Sequence, residues 1–222
     1  YMATSGTTSF DLSIEEIIAE AFERCGLSVR SGYDLRTSRR SLNLLFAEWA
    51  NRGLNLWTIE QRTKTLTAGT TSYDLDTDLV DILSAVLFTA KYTTIDKQLE
   101  RLSRAEYLHI SKKTTSAVST QYYLERSITP KLFLYPTPNA ADTFKYYALT
   151  RIQDAGSYSG NAEVPFRFLP CLVAGLSYYI AMKKAPERIQ LLKQVYEDEW
   201  TRASQEDSTR SSLRIVPNVG VM

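Results

Sequence analysis

Histidine is almost missing: His109 is the only one among 222 residues. Cysteine is nearly as scarce, at Cys25 and Cys171. A structural zinc site takes about four nitrogen or sulfur ligands, and no CxxC or HExxH spacing occurs. The two thiols lie far apart in apolar helical patterns, so they read as reduced core residues, which suits a cytoplasmic site of folding. Glycine numbers nine, and neither GxxxxGK(S/T) nor GxGxxG occurs, so no glycine-rich loop cradles a phosphate. There is no GxSxG nucleophile elbow. The longest apolar run, Phe168 to Met182, is interrupted by Pro170, Ser177, Tyr178 and Tyr179. It is shorter than the roughly 20 residues that a bilayer requires. Charge has no bias either, with 26 Lys and Arg against 25 Asp and Glu, a net +1. A protein that grips DNA by its phosphates usually carries a clear basic excess.

What is present suffices for a core: 44% of residues are hydrophobic and 23% charged, close to the globular average. Tyrosine is abundant at 14 residues. Its ring can be buried while its hydroxyl stays wet, a property that interfaces use.

The pattern along the chain predicts two helices, a strand-rich middle, and two more helices. Ser13 and Glu16 have the spacing of a capping box, with Leu12 and Ile17 placed as a hydrophobic staple. Ile14, Ile17, Ile18, Ala21, Phe22 and Cys25 then repeat on one helical face, and Gly26 is placed to stop it. A second helix is expected over 34–52, with Leu35, Leu42, Leu45, Phe46 and Trp49 inward and Arg36, Arg39 and Arg40 outward. From Leu56 the period shortens. Strands are expected around Thr63–Thr65, Ser72–Leu75, Val80–Thr89, Thr94–Leu99, Gln121–Arg126, Lys131–Tyr135 and Thr143–Arg151. Pro136, Pro138 and Asn139 mark a turn that cannot continue a ladder. One short helix, Arg104–Ile110, carries a second capping box at Ser103 and Glu106. Helix returns over Pro165–Lys184. A last helix begins at Pro186, with Ile189, Leu192, Val195, Tyr196 and Trp200 as its stripe and Glu197, Asp198 and Glu199 as an acidic patch.

These parts suggest an α+β, mainly α fold: a bundle of four long helices with an inserted β-rich lobe and an extended C-terminal arm. The expected division is 1–55 for the first helical pair, 56–153 for the lobe, 154–207 for the second pair and 208–222 for the arm. The arm is too apolar to favour free solvation and too short to fold alone. It has the character of a segment ordered only in a partner's groove or against a sheet edge.

Catalytic constellations are not evident. His109 has only Glu106 nearby in sequence, whereas a general base needs a nucleophile and an orienting carboxylate within about 3 Å. Asp74, Asp76, Asp78 and Asp81 faintly resemble a calcium loop but lack its central glycine and final glutamate. They read as a polar turn. No cofactor, metal or membrane association is expected.

The order of parts resembles a known family. Arg39-Arg40-Ser41-Leu42-Asn43-Leu44-Leu45-Phe46-Ala47-Glu48-Trp49-Ala50-Asn51-Arg52-Gly53-Leu54-Asn55-Leu56-Trp57 is similar to the second helix, glycine stop and lobe-opening tryptophan of the head-to-tail adaptor (connector, or tail accessory) proteins of short-tailed bacteriophages. Val164-Pro165-Phe166-Arg167-Phe168-Leu169-Pro170 resembles the start of that family's third long helix. The resemblance implies a structural virion protein with no catalysis, sited at the head–tail interface of one capsid vertex. It implies a ring, usually of twelve copies, between the portal protein and a tail nozzle or tail tube. Genome DNA would pass through the lumen without tight binding. It also implies that the arm reaches the portal, with Arg210, Leu213, Arg214, Ile215, Val216, Val219 and Val221 as its contact residues. A heterologous interface repeated by rotation closes into a ring. Arg36, Arg39 and Arg40 on one flank and Glu197, Asp198 and Glu199 on the other are the inter-subunit candidates. Two other readings compete: a DNA-binding module built on the three arginines, and an enzyme using Glu106 or the Asp74–Asp78 carboxylates.

Overall fold

The computed structural model describes residue 6 and residues 10–52, 56–89 and 95–206. In chain order it contains α1 (Ile14–Arg24), α2 (Gly32–Arg52), β1 (Ile59–Thr65), β2 (Ser72–Asp74), β3 (Leu79–Thr89), β4 (Ile95–Gln98), β5 (Glu100–Arg101), α3 (Arg104–His109), β6 (Ser116–Ala117), β7 (Gln121–Glu125), β8 (Lys131–Tyr135), β9 (Thr137–Pro138), β10 (Thr143–Thr150), α4 (Leu169–Lys184) and α5 (Ile189–Glu206). Helix accounts for 42% and strand for 27%, so the fold is mixed α/β rather than mainly α. Among the described residues, those up to Leu42 and those from Ala155 onward form one compact unit, and Asn43–Asp154 form a second.

In the first unit, local chemistry sets the ends of α1. Ser13 Oγ accepts from the Glu16 amide at 3.3 Å, and Glu16 Oε2 accepts from the Ser13 amide at 2.8 Å. That reciprocal pair satisfies two donors the helix start would leave open. At the other end Gly26 adopts φ +71°. The Gly26 amide donates to Glu23 O at 2.8 Å and the Leu27 amide to Phe22 O at 2.9 Å, the bonding of a Schellman motif. A guanidinium fills the space glycine leaves: Arg188 atoms lie 2.7–2.9 Å from where a Cβ would stand, and Arg188 Nη1 donates to Arg24 O at 3.1 Å.

α4 is the centre of this unit. It buries Leu169, Cys171, Leu172, Val173, Ala174, Gly175, Leu176, Ser177, Ile180 and Ala181, leaving almost no polar face, as expected of a helix covered on several sides. α1 and α5 both pack on it. Tyr196 of α5 is fully buried and stacks on Tyr178 at 6.2 Å between centroids, and Trp200 meets Phe168 edge-on at 6.0 Å. The first half of α2 is tied in by charge: Lys184 Nζ donates to Asp34, and Lys183 Nζ donates to Ser41 Oγ at 2.6 Å. This differs from the expected bundle of four long helices. Five α-helices occur among the described residues; α1 has only 11 residues. α2 contributes its first half to this unit and its second half, with buried Leu45, Phe46 and Trp49, to the other.

The second unit is built on two four-stranded sheets, in the orders β1-β10-β3-β4 and β2-β8-β7-β5. Within these two sheets all pairings are antiparallel except β5 with β7. Period-two alternation supplies the core: Phe144, Tyr146 and Ala148 of β10 point inward while Lys145 and Tyr147 do not. Ile82, Ala85 and Leu87 of one sheet and Tyr122, Leu124, Leu132 and Leu134 of the other meet in a single cluster. The β3–β10 register shifts between Tyr147 and Ala148, a bulge that leaves Leu83 exposed. Pro138 does take part in a pairing, contrary to expectation. It lies in β9, whose two residues run parallel to β6, a short edge arrangement that tolerates the missing amide donor.

Candidate interaction surfaces

Helix α2 carries an outward stripe that no described residue covers. Tyr33, Arg36, Arg40 and Leu44 fall at helical spacing and all are exposed, Leu44 by 54%. Among the described residues neither Arg36 nor Arg40 pairs with a carboxylate; Arg36 Nε only reaches Gly32 O at 3.5 Å. Lys183 lies near Arg40, and its ammonium pKa is lowered, first by desolvation and then by that arginine's charge.

The third arginine is spent inside the subunit. Arg39 Nη1 donates to Gly156 O at 3.0 Å, and its guanidinium sits 5.1 Å over the Tyr158 ring. It fixes the loop that precedes α4 and is not free to face a neighbour.

The acidic residues of α5 do not form one patch. Successive helical residues point about 100° apart, so Glu197, Asp198 and Glu199 part company. Glu197 is half-buried and Glu199 accepts from Arg202 at 2.9 Å. Asp198 alone is fully outward, and it shares a stripe with Leu191 and Val195, exposed by 63% and 36%. Val195 therefore is not a core position; Leu192, Tyr196 and Ala203 are. The apolar members of both stripes escape sequence reading because a lone exposed Leu or Val looks like the edge of a buried face.

Helix α1 and the start of α4 enclose a groove of about 490 Å³. Phe10, Leu12, Ala19, Phe166 and Val173 line it, with Glu16, Glu20, Glu23 and Arg24 around them. Phe10 and Phe166 meet edge-on at 6.3 Å and are 66% and 69% exposed.

The carboxylates that the sequence offered for chemistry have structural partners. Arg62 binds Asp78 through two contacts, 2.8 and 2.6 Å, and Asp76 at 3.0 Å; Glu60 is its fourth contact. That hydrogen bonding holds the Asp78 carboxyl below the usual carboxylate range. Asp81 pairs with Arg101 and Arg126. Glu106 caps α3, with its Oε2 2.7 Å from the Ser103 amide, and His109 is exposed at the end of that helix. Among the described residues no cluster of three His, Cys, Asp or Glu side chains could hold a metal, and no helix is long and apolar enough to cross a membrane. Arg210, Leu213, Arg214, Ile215, Val216, Val219 and Val221 lie outside the described residues.

Comparison with known proteins completes the picture. No curated protein matches the chain. A model of the SU10 adaptor protein family matches residues 13–218, which takes in both units and most of the C-terminal segment. The chain therefore belongs to the SU10 adaptor protein family: it is a phage structural adaptor, a component of the virion.

Proposed function

We propose that the protein forms a ring, twelve copies in a short-tailed phage, between the portal and the tail nozzle or tube. The ring prolongs the DNA channel and gives the tail its platform. The observation that carries this reading is the pair of unmatched helical stripes on one chain. Tyr33, Arg36, Arg40 and Leu44 on α2 offer positive charge with apolar flanks. Leu191, Val195 and Asp198 on α5 offer negative charge with apolar flanks. Two different complementary surfaces on one subunit are what a head-to-tail contact needs, and repeated by rotation such contacts close. Residues 1–55 and 154–207 act as the helical body, 56–153 as the lobe and 208–222 as the arm that docks on the portal.

The test mixes purified chain with portal and measures complex mass by light scattering. Arg40→Glu and Asp198→Lys should each reduce ring assembly, and the double variant should restore it, because the charges then meet again with signs exchanged. Assembly unaffected by either single change removes the proposed contact. Deletion of residues 208–222 should leave a folded chain that no longer co-precipitates with portal; retained docking overturns the role of the arm.

One observation favours a second reading. Arg36, Arg40 and Lys183 form a basic surface on the helical unit, as a DNA-binding module would. Steeply salt-dependent gel shifts by the isolated chain would support it.

A further inference from the structure

Lys183 stands at the seam between α4 and the first half of α2. Its Nζ donates to Ser41 Oγ at 2.6 Å. Ser41 is fully buried and donates its own proton to Thr37 O at 3.2 Å. The hydroxyl is thus a fixed acceptor, and it holds the ammonium beside Arg40, the residue before it. Arg40 and Tyr33 are both close enough to act on that ammonium through their charge. Two cations side by side repel unless an anion joins them, and among the described residues neither Arg40 nor Lys183 pairs with a carboxylate. Asp34 is the one acid in α4 and the first half of α2. It is buried and already accepts from Lys184 Nζ and from the Arg30 amide.

The surroundings say what kind of anion fits. Tyr33 is 68% exposed, and Met182, next to Lys183, is 45% exposed. Tyr, Met and Arg are the residues that protein interfaces enrich, whereas surfaces that hold DNA are more polar and much more positive. A protein carboxylate supplies the charge, and the chain around it supplies apolar atoms to lie on Tyr33 and Met182. Asp198 is such a group: outward on α5, with Leu191 and Val195 beside it. Its own chain does not bring it to Lys183. Tyr196 stacks on Tyr178 and Trp200 meets Phe168, so Asp198 lies toward the start of α4 and Lys183 at its end.

We infer that Arg40 and Lys183 form a two-pronged carboxylate site, bordered by Tyr33 and Met182, and that it takes Asp198 of a second copy of this chain. The inference rests on the ring reading and adds to it a cation from α4, so that one incoming helix engages two helices of its neighbour.

Carbodiimide coupling tests it, because that reagent joins an amine to a carboxylate only where the two touch. Isotopically light and heavy chains are mixed, assembled on portal, treated, digested and read by mass spectrometry. Lys183–Asp198 products that join light to heavy chain should form. Lys112, an exposed lysine of the other unit, should couple to Asp198 about tenfold less, since only a docked pair has a high effective concentration. Lys183→Gln leaves Ser41 its bond to Thr37 O and should raise the chain concentration needed for half-maximal assembly about tenfold. In an Asp198→Asn background the same change should have no further effect. Assembly without Lys183–Asp198 coupling, or additive effects of the two changes, overturns the inference and leaves the ring standing. Absence of assembly in light scattering overturns the ring reading and this site with it. Salt-dependent DNA binding by the isolated chain that Lys183→Gln abolishes would overturn the carboxylate assignment in favour of phosphate.

Discussion

Tyr196 anchors α5 on α4. Its side chain is fully buried, and its ring stacks on Tyr178 with an 18° tilt at 6.2 Å. Tyr196→Ala removes a large buried ring from the α4–α5 contact and leaves a cavity. Truncations of buried aromatic side chains cost about 3–5 kcal/mol, part of which is the ring pairing itself, about 0.5–1.5 kcal/mol. The buried side chains of α5 include Leu192, Tyr196 and Ala203, and Tyr196 is the largest of them, so the loss should appear as detachment of that helix. Each 1.4 kcal/mol is a factor of ten; the expected fall in amide-exchange protection across α5 is thus about 100- to 4,000-fold. Hydrogen exchange read by mass spectrometry on peptides covering 189–206 measures it. Tyr196→Phe keeps the stacked ring and should retain most of the protection. The reasoning fails if Tyr196→Ala lowers protection in α5 by less than about tenfold, below the smallest loss worked out here. Ring assembly should weaken in the same variant, because Leu191, Val195 and Asp198 are presented by this helix.

The other predictions concern charge and backbone. Asp78 is held ionised chiefly by Arg62. Its folded pKa is depressed, so the stabilisation is present above the ordinary carboxylate value and is lost as pH falls through the lower folded one. Arg62→Met should cost about 1 kcal/mol at neutral pH, a modest figure because Asp78 is partly solvated, and the gap to the parent should shrink in acid. Urea titrations at several pH values check this; a gap that stays constant into strong acid removes Arg62 as the cause. Gly26→Ala should lower the melting temperature by an amount corresponding to about 1–2 kcal/mol, since a positive φ is unfavourable for any residue with a Cβ and the Arg188 guanidinium must also move. An unchanged melting temperature would show that the glycine is not needed there.

Much of this architecture could be read from local chemistry. Both capping boxes form at Ser13–Glu16 and Ser103–Glu106, and the stop at Gly26 is where a lone glycine after an apolar face should be. β8 spans Lys131–Tyr135 as alternation predicts, and β4 pairs with β3. These features depend on a few neighbouring residues, so sequence carries them. What depends on tertiary placement was not legible. Arg36, Arg39 and Arg40 look equivalent in sequence, yet among the described residues Arg39 alone of the three reaches a backbone carbonyl beyond its own helix, Gly156 O, more than a hundred residues away. That Glu197, Asp198 and Glu199 point apart follows from helical geometry alone, but which of them is left outward, Asp198, depends on how α5 packs. The groove was invisible because its lining comes from the segment before α1, from α1 itself and from the start of α4, far apart in sequence and each unremarkable alone. The parallel β6–β9 pairing rests on two residues per strand, too few to leave a period.

The near-zero net charge also takes on a different meaning once the charges are placed. In the β-rich unit they are largely consumed locally: Arg62 with Glu60, Asp76 and Asp78, Asp81 with Arg101 and Arg126, and Lys145 with Asp96. On the helical stripes they are not. Arg36 and Arg40 face outward on α2, while Asp198 faces outward on α5. A chain selected to hold DNA would need its unmatched positive charge without an unmatched negative stripe of similar make-up. A chain selected to meet copies of itself head to tail needs both, in balance and on different helices, with apolar residues beside each charge to supply binding energy once the pair is desolvated. On the proposed head-to-tail contact, the exchange of Arg40 and Asp198 probes whether these two outward charges meet.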